Sequence, residues 1–375
     1  MKIFISALEV SADQYGSQLA SALKALNPKI TLVGIGGEKM RDAGVEVLLD
    51  LTKLSSVGIF EAFRFIPKLI QAYRKNKALL KQHKPDVYVV IDAQGFHMMM
   101  LKVAKLLKIK TVYFISPQEW QWGTVAGGKK VLQYTDHILA IFKKEADFYE
   151  KLGGQVSFVG HPILDHIQKP SDPYFRSNLK TEKPILALFP GSRLHEIRRL
   201  LPLLLESASQ LKRLYPNFDY VLSISSPVFD EEFQKYQGYP ITLYRGPAID
   251  LIKNAYFSIS ASGTIILEHA LCQTPCVAIY QFSPLTYAVA HTFFKKKLEK
   301  LPYMTLPNLL LNKPLIPELL QKNATVSNIV KTTQRFLDDP LSYSTYKEQL
   351  KQVHPLLGEA GAIQKAAQAI LSDLQ

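Results

Sequence analysis

Residues 257–282 read FSISASGTIILEHALCQTPCVAIYQF, and how this stretch is parsed decides the fold. Phe257–Ser260 is an apolar run of strand length, and Ala261-Ser262-Gly263-Thr264 is a turn of small and hydroxylated residues. Ile265–Leu271 reads as an apolar helix carrying Glu268, Gln273-Thr274-Pro275 breaks it, and Cys276–Tyr280 is a second strand. The turn brings no bulky side chain to the helix start. There the unpaired N–H groups and the positive end of the dipole favour a phosphate. Ser262 and Thr264 add hydroxyl donors, and Glu268 lies about one turn along, where a carboxylate suits a ribose diol. The stretch alone reads equally as a nucleotide-diphosphate pocket or as a plain parallel-sheet crossover.

The same strand–helix rhythm extends outward. Ile185–Phe189 and Tyr220–Ser225 precede it as strands. Upstream, Lys2–Ser6, Thr31–Ile35, Val87–Ile91, Thr111–Ile115, His137–Phe142 and Val156–Val159 have the same apolar character. Gln14–Leu26 is a helix with Leu19, Ala22, Leu23 and Leu26 on one face. Strands alternating with helices predict doubly wound parallel sheets, with ligands at the carboxyl ends of the strands. Lys169–Pro184 turns to Pro, Ser, Asp, Asn and Lys without apolar periodicity and reads as an inter-domain linker. Glu359–Leu374 is a final helix whose narrow face of Ala362, Ile363, Ala366, Ala367 and Ile370 implies close packing. The expected architecture is α/β of the GT-B kind, with two doubly wound Rossmann-like domains and the C-terminal helix packing back on the first. Its domains are 1–170, 171–345 and 346–375 (helices returning to the N-terminal domain).

Length and composition agree. The 375 residues suffice for two cores, and 47% apolar with 21% charged residues describes a globular chain, not a disordered one. Lys plus Arg number 45 against 32 Asp plus Glu, a formal net charge of +13 that draws polyanions: nucleic acid, anionic lipid or a phosphorylated substrate. Cys272 and Cys276 are the only cysteines, so no disulfide framework exists and a reducing compartment fits. Glu9 interrupts the first apolar run too early for a signal-peptide core, and no run approaches the roughly 18 apolar residues of a membrane span. The expected location is cytoplasmic, touching a membrane peripherally if at all.

Two loops carry candidate chemistry. Ile185–Phe189 runs into Pro190-Gly191-Ser192-Arg193, then Glu196. A glycine turn at a strand end with arginine beside it makes a phosphate clamp, because guanidinium grips phosphate in a fork. Glu9-Val10-Ser11-Ala12-Asp13 follows the first strand, where Asp13 or Ser11 is expected to cap the first helix while the others line the ligand side. Nine histidines are scattered without metal-site spacing, so no metal site is expected. His161 in Gly-His-Pro reads as structural. Trp120 and Trp122 alternate as in an extended segment and read as core.

The chain resembles the lipid-A-disaccharide synthase family along nearly its whole length. The carriers, in order, are Leu8–Asp13, Val57-Gly58-Ile59-Phe60-Glu61, Ile91–Phe96 and Ser116-Pro117-Gln118-Glu119-Trp120-Gln121-Trp122. Phe158–Pro162, Pro190–Arg193, Ala261–Thr264 with Glu268, and Leu306-Pro307-Asn308-Leu309-Leu310 complete them. Each is weak alone; eight in the family's order are strong.

The resemblance implies a metal-independent, inverting GT-B glycosyltransferase with no cofactor. It implies UDP-2,3-diacylglucosamine as donor and 2,3-diacylglucosamine 1-phosphate as acceptor, giving a β-1,6-linked lipid A disaccharide phosphate and UDP. An inverting transfer needs a base at the acceptor hydroxyl and charge stabilisation at the leaving diphosphate. The resemblance gives Asp92 as the base, with Glu9 as the alternative. Asp92 as a mere loop-capping carboxylate stays open. Gly191, Ser192, Arg193, Ser262, Gly263, Thr264, Glu268, Gln281 and Asn308 are assigned to UDP and the donor. Ser11, Asp13, Glu61 and Gln118 are assigned to the acceptor side. The inner-membrane surface and a homodimer are the further partners envisaged, and nucleic acid is not.

The chain departs from the family pattern at Leu8 and Ala12, which replace glycines, at Gln94-Gly95, which replace Pro-Asp, and at Gly123–Gly128, where a basic helical start is expected. These lie in the acceptor half. Ile59, Phe60, Phe63, Ile66, Leu69 and Ile70 are apolar at near-helical spacing among Arg64 and Lys68, with Arg74, Lys75 and Lys77 following. That pattern fits an interfacial helix as well as a core-facing one, with Phe60, Phe63, Arg64, Ile66 and Lys68 as the membrane contacts. Phe293-Phe294-Lys295-Lys296-Lys297 is a second such patch. Two rivals remain on sequence alone. One is another GT-B enzyme acting on a UDP-N-acetylhexosamine, a cell-wall transferase or 2-epimerase. The other is a non-catalytic relative that binds anionic lipid.

Overall fold

The computed structural model describes residues 1–52, 62–168, 172–236, 238–282 and 302–374; for 62–68 and 122 it describes the backbone only. The chain forms two compact units, Met1–His166 with Leu357–Gln375, and Ile167–Leu356.

The first unit is built on seven parallel strands: β1 (Lys2–Ala7), β2 (Thr31–Ile35), β3 (Glu46–Leu49), β4 (Val87–Ile91), β5 (Lys110–Phe114), β6 (His137–Ala140) and β7 (Val156–Phe158). Their order is β3-β2-β1-β4-β5-β6-β7. β1 pairs with β4 from Ile3↔Val87 to Ala7↔Ile91. The central strands are largely apolar because helices cover both faces, and every residue of β4 is fully buried. The helix Ala362–Ser372 packs on Val10–Leu26 through the buried small face of Ala362, Ile363, Ala366, Ala367 and Ile370. Asp165 accepts from the Gly361 and Ile363 N–H groups at its start. At its end, Asp373 takes His137 Nδ1 at 2.6 Å, Gln155 Nε2 at 3.1 Å and the Lys110 ammonium at 3.4 Å.

The second unit has six parallel strands: β8 (Ile185–Phe189), β9 (Asp219–Ser223), β10 (Thr242–Tyr244), β11 (Ala255–Ala261), β12 (Cys276–Tyr280) and β13 (Glu318–Leu320). They run in the order β10-β9-β8-β11-β12-β13. The helix Leu194–Leu214 buries Ile197, Leu200, Leu201, Leu204, Leu205, Ala208 and Leu211, a stripe at helical spacing.

Three strands had no counterpart in the sequence reading: β3, β10 and β13. All lie at sheet edges and are at most half-buried, so they lack the apolar run that marks an interior strand. The stretch read as a linker instead belongs to the second unit. Within it Phe175–Leu179 is helical, and Phe175 packs in that unit's core with Ile185 and Leu251. The return to the first unit begins at Leu357, later than 346. Tyr346 is held in the second unit, its hydroxyl donating to the Cys276 carbonyl at 2.7 Å. Among the described residues no helix is long and apolar enough to cross a membrane.

Candidate active site

In a doubly wound sheet the strand order reverses once, and the loops leaving the two flanking strands diverge to form a ligand crevice. Here that happens between β1 and β4 in the first unit and between β8 and β11 in the second. The loops after these four strands are those of Glu9, Asp92, Arg193 and Ser262.

In the second unit, β8 turns through Gly191 at φ +106, a left-handed conformation that favours glycine. A Cβ there would meet Glu196 Oε2 at 2.6 Å. Glu196 folds back to accept from the Ser192 N–H at 3.3 Å and stands 3.5 Å from Arg193. Arg193 occupies the N-cap of the next helix with 52% of its side chain exposed. An ion pair so exposed is weak, which leaves the guanidinium available to an anion. From β11 the chain passes Ser262 and enters Thr264–Leu271 at Gly263, whose extended backbone supplies no side-chain cap. Nothing lies within 4 Å of the position a Cβ would take there. The N–H groups of the first turn therefore face a stretch without side-chain cover. Thr264 and Glu268 are four residues apart and share a face of the helix. The Glu268 carboxyl makes no hydrogen bond among the described residues, and desolvation raises its pKa to about 7.

Two donor-side assignments meet side chains already engaged. Asn308 is fully buried; its amide donates to the Ile316 carbonyl at 2.8 Å and to Glu318 at 2.9 Å, and accepts from the Ile316 N–H at 2.8 Å. It supports the loop, with both of its amide N–H groups committed there. Gln281 donates its side-chain amide to the Ala324 carbonyl at 2.9 Å, and its backbone carbonyl accepts from Arg199 at 3.0 Å. Sequence reasoning missed Glu318, which also takes the N–H groups of Met304 and Thr305. It also missed Arg199, which with Arg193 and Glu196 sets the electrostatic surroundings of Tyr280. The doubled arginine at 198–199, one turn beyond Arg193, was the available signal for Arg199.

In the first unit the helix after β1 starts from Glu9 at the N-cap, with no side-chain cap, so neither Ser11 nor Asp13 caps it. Ser11 is exposed. Asp13 is 4% exposed and turns sideways, accepting from the N–H groups of Gly37 at 2.6 Å, Lys39 at 3.2 Å and Met40 at 3.3 Å. Its carboxylate is engaged on the turn after β2.

After β4 the chain turns left-handed twice, at Asp92 (φ +56) and Ala93 (φ +52), before the helix Gln94–Leu106. Asp92 Oδ1 accepts from the Ala93 N–H at 2.7 Å, and its other oxygen makes no hydrogen bond among the described residues. The residue is open to water yet surrounded by enough protein that desolvation lifts its carboxyl above the usual range. Its carbonyl accepts from His97 Nδ1 at 2.6 Å and the Tyr113 hydroxyl at 3.0 Å.

The Ser116–Trp122 segment lies alongside. The Ser116 hydroxyl donates to buried Glu145 at 2.5 Å, and the Tyr149 hydroxyl donates to the Pro117 carbonyl at 2.9 Å. Burial pushes the Glu145 carboxyl up to about 7. Gln118 is half-buried at the start of a short helix, Glu119–Trp122, so the two tryptophans are not on an extended strand. Trp120 packs on Phe142 at 5.5 Å between ring centres. Gln94 reaches Glu119 at 2.9 Å, which ties the two loops together where the family pattern has Pro-Asp. A Cβ at Gly123 would lie 1.8 Å from Glu119 Oε2, so the glycine makes room for this carboxylate. A helix does follow, Val125–Tyr134, capped by Thr124 accepting from the Gly127 N–H at 2.9 Å. Glu61 and Phe60, with the patch at 293–297, lie outside the described residues, as do the side chains of Phe63, Arg64, Ile66 and Lys68.

Among the described residues no group of three or more His, Cys, Asp or Glu is arranged to hold a metal ion.

Comparison with known proteins agrees with this arrangement. A family described as lipid-A-disaccharide synthetase matches residues 3–372. The lipid-A-disaccharide synthase of Trichlorobacter lovleyi is 37% identical over 379 residues, covering 99% of this chain and 97% of that protein. That of Persephonella marina is 37% identical over 385 residues, covering 98% of each. Among solved structures, the UDP-GlcNAc 2-epimerase of Neisseria meningitidis bound to UDP-GlcNAc has a TM-score of 0.63 at 12% identity, covering 100% and 99% of the two chains. The UDP-GlcNAc 2-epimerase of Methanocaldococcus jannaschii with UDP-GlcNAc and UDP has a TM-score of 0.62 at 13% identity, covering 99% and 100%. Identities so low speak to the two-domain GT-B fold and no further. The sequence matches run from end to end and pass through both switch points, so the chain belongs to the lipid-A-disaccharide synthase family of glycosyltransferases.

Proposed function

We propose that the chain transfers the sugar of UDP-2,3-diacylglucosamine to 2,3-diacylglucosamine 1-phosphate, with inversion and without a metal. The acceptor's 6-hydroxyl oxygen bonds to the donor's anomeric carbon. The bond from that carbon to the diphosphate breaks, and UDP leaves with the electron pair. Asp92 takes the hydroxyl proton. Its raised pKa makes it a stronger base than a surface aspartate, and the oxygen not bonded to Ala93 is the one that receives the proton. Arg193 and the N–H groups at Gly263 and Thr264 stabilise the charge growing on the diphosphate. Glu268 accepts from the ribose hydroxyls.

The observation that carries this reading is the Glu268 carboxyl, which is half-buried, partly desolvated, without a hydrogen bond among the described residues, and one turn above an uncapped helix start at the switch point. A partly desolvated carboxylate gains from donors, and a ribose diol supplies two. Membrane contact is supported by the exposed Leu69 and Ile70 on the helix Ala62–His83, with Arg74, Lys75 and Lys77 exposed beside them. We place the protein on the cytoplasmic face of the inner membrane, where acylated substrates are accessible.

The test is UDP release from UDP-2,3-diacylglucosamine in detergent micelles, with and without the acceptor and with and without a chelator. Release that requires the acceptor and ignores the chelator is the expected outcome. UDP release without acceptor, or turnover of UDP-N-acetylglucosamine alone, would sink the reading.

A further inference from the structure

Of the buried groups that the mechanism leaves unused, one adjoins Asp92. His97 is fully buried in the helix after β4, and it joins two strands. Nδ1 meets the Asp92 carbonyl at 2.6 Å and Nε2 meets the Ser6 hydroxyl of β1 at 3.0 Å. A carbonyl oxygen only accepts, so Nδ1 carries the proton and Nε2 accepts from Ser6. Burial lowers the ring's pKa to about 4, so it is neutral under ordinary conditions. The network continues inward, because Ser6 bonds the Tyr88 hydroxyl, which accepts from Asn76 at 3.4 Å. From the other side Tyr113 of β5 donates to the same Asp92 carbonyl at 3.0 Å and stands edge-on to the His97 ring.

Around this carbonyl the backbone is in an unfavourable state. Asp92 and Ala93 are both left-handed without being glycine, and Ile115, at the end of the adjacent strand, is left-handed at φ +59 although β-branched. Such conformations persist only where the surroundings over-determine them. The Asp92 N–H is fixed to the Phe114 carbonyl at 3.2 Å, its carbonyl has two donors, and its Oδ1 is held by the next N–H.

We propose that His97, braced by Ser6, and Tyr113 are positioning residues that clamp the Asp92 carbonyl, hold the left-handed turn and so fix the carboxylate for proton transfer. The proposal rests on the reading of Asp92 as the base. Neither residue touches substrate; both act through the backbone of Asp92. A general base must sit within hydrogen-bond reach of its proton, and a displacement of about 1 Å can cost on the order of 100-fold.

The experiment compares His97→Leu, His97→Asn, Tyr113→Phe and Asp92→Asn in the full chain. It reads kcat and donor KM for acceptor-dependent UDP release, UDP affinity by calorimetry, and thermal melting. Removing the His97 donor as leucine lowers kcat roughly 30-fold, and Tyr113→Phe lowers it roughly fivefold. Donor KM and UDP affinity stay within about twofold, because the donor-binding residues lie in the other unit. His97→Asn, which keeps an N–H donor, recovers most of the loss. Unchanged kcat in both His97→Leu and Tyr113→Phe, with Asp92→Asn inactive, overturns the positioning role and leaves the base assignment standing. Turnover by Asp92→Asn overturns both. A kcat loss that tracks lowered melting or lost UDP affinity shows general damage and also overturns it; Tyr113→Phe opens no cavity and guards against that outcome arising trivially.

Discussion

The two switch points share a topology and differ in how their atoms are engaged. In the second unit the loop after β11 is open: Gly263 has nothing within 4 Å of its missing Cβ, and Glu268 has no hydrogen bond among the described residues. In the first unit the loop after β4 is tied at every backbone atom of Asp92 and is held in left-handed geometry. An open loop with unspent groups suits a ligand that brings its own donors and acceptors. A tied loop suits a group that must stay still while a bond changes. The comparison teaches that binding and reaction ask opposite things of the same structural position.

Substitutions can break this contrast. The largest effect is expected for Asp92→Asn, which leaves the turn but removes the proton acceptor. Turnover should fall by about 1,000-fold or more while UDP binding is unchanged. Loss of UDP affinity in that variant would erase the division between the two loops. Next comes Arg193→Ala, which removes a forked cation from the open side. Charge-assisted bonds of about 1.5–3 kcal/mol predict a roughly 10- to 100-fold rise in the UDP dissociation constant by calorimetry. An unchanged constant would mean that Glu196 holds the guanidinium away from ligand.

Glu268 sharpens the comparison through pH. Its pKa of about 7 lies above the ordinary glutamate value, so the carboxyl becomes protonated as pH falls through 7. The charged form is the one that accepts from both ribose hydroxyls. UDP affinity should therefore be greatest above pH 7 and decline below it. Glu268→Gln should bind a few-fold to about tenfold more weakly, with a flatter pH dependence. A wild-type affinity that rises towards pH 5.5 would contradict the ribose role. The smallest catalytic effect is expected for Asp373→Ala, far from both loops in its bonding. It releases His137, Gln155 and Lys110, and should cost about 1–3 kcal/mol in unfolding of the first unit with kcat per folded molecule unchanged.

Much of this was legible in residue order. The strand–turn–helix–strand parse of 257–282 survives almost unaltered as β11, the helix Thr264–Leu271 and β12, because interior parallel strands are apolar end to end and small-residue turns stand out between them. Among the described edge strands only β7 was legible; β3, β10 and β13 carry no such mark. The motif loops were legible as loops, but what their side chains were already holding was not. Asp13, Gln281 and Asn308 have the right chemistry for a ligand, yet their bonds go to Gly37, Ala324 and Ile316, partners that tertiary structure alone supplies. Conversely His97 carries no signal in sequence. A histidine on an apolar helix face gains its meaning only from the carbonyl of Asp92 five residues earlier and a serine 91 residues away.

The return of residues 357–375 to the first unit also sets an order of completion during synthesis. A growing chain has every residue of the second unit in hand before the first unit receives its closing helix and the carboxylate of Asp373. Translation halted at codon 357 would thus leave the second unit complete in sequence while the first still lacks the helix that packs on Val10–Leu26.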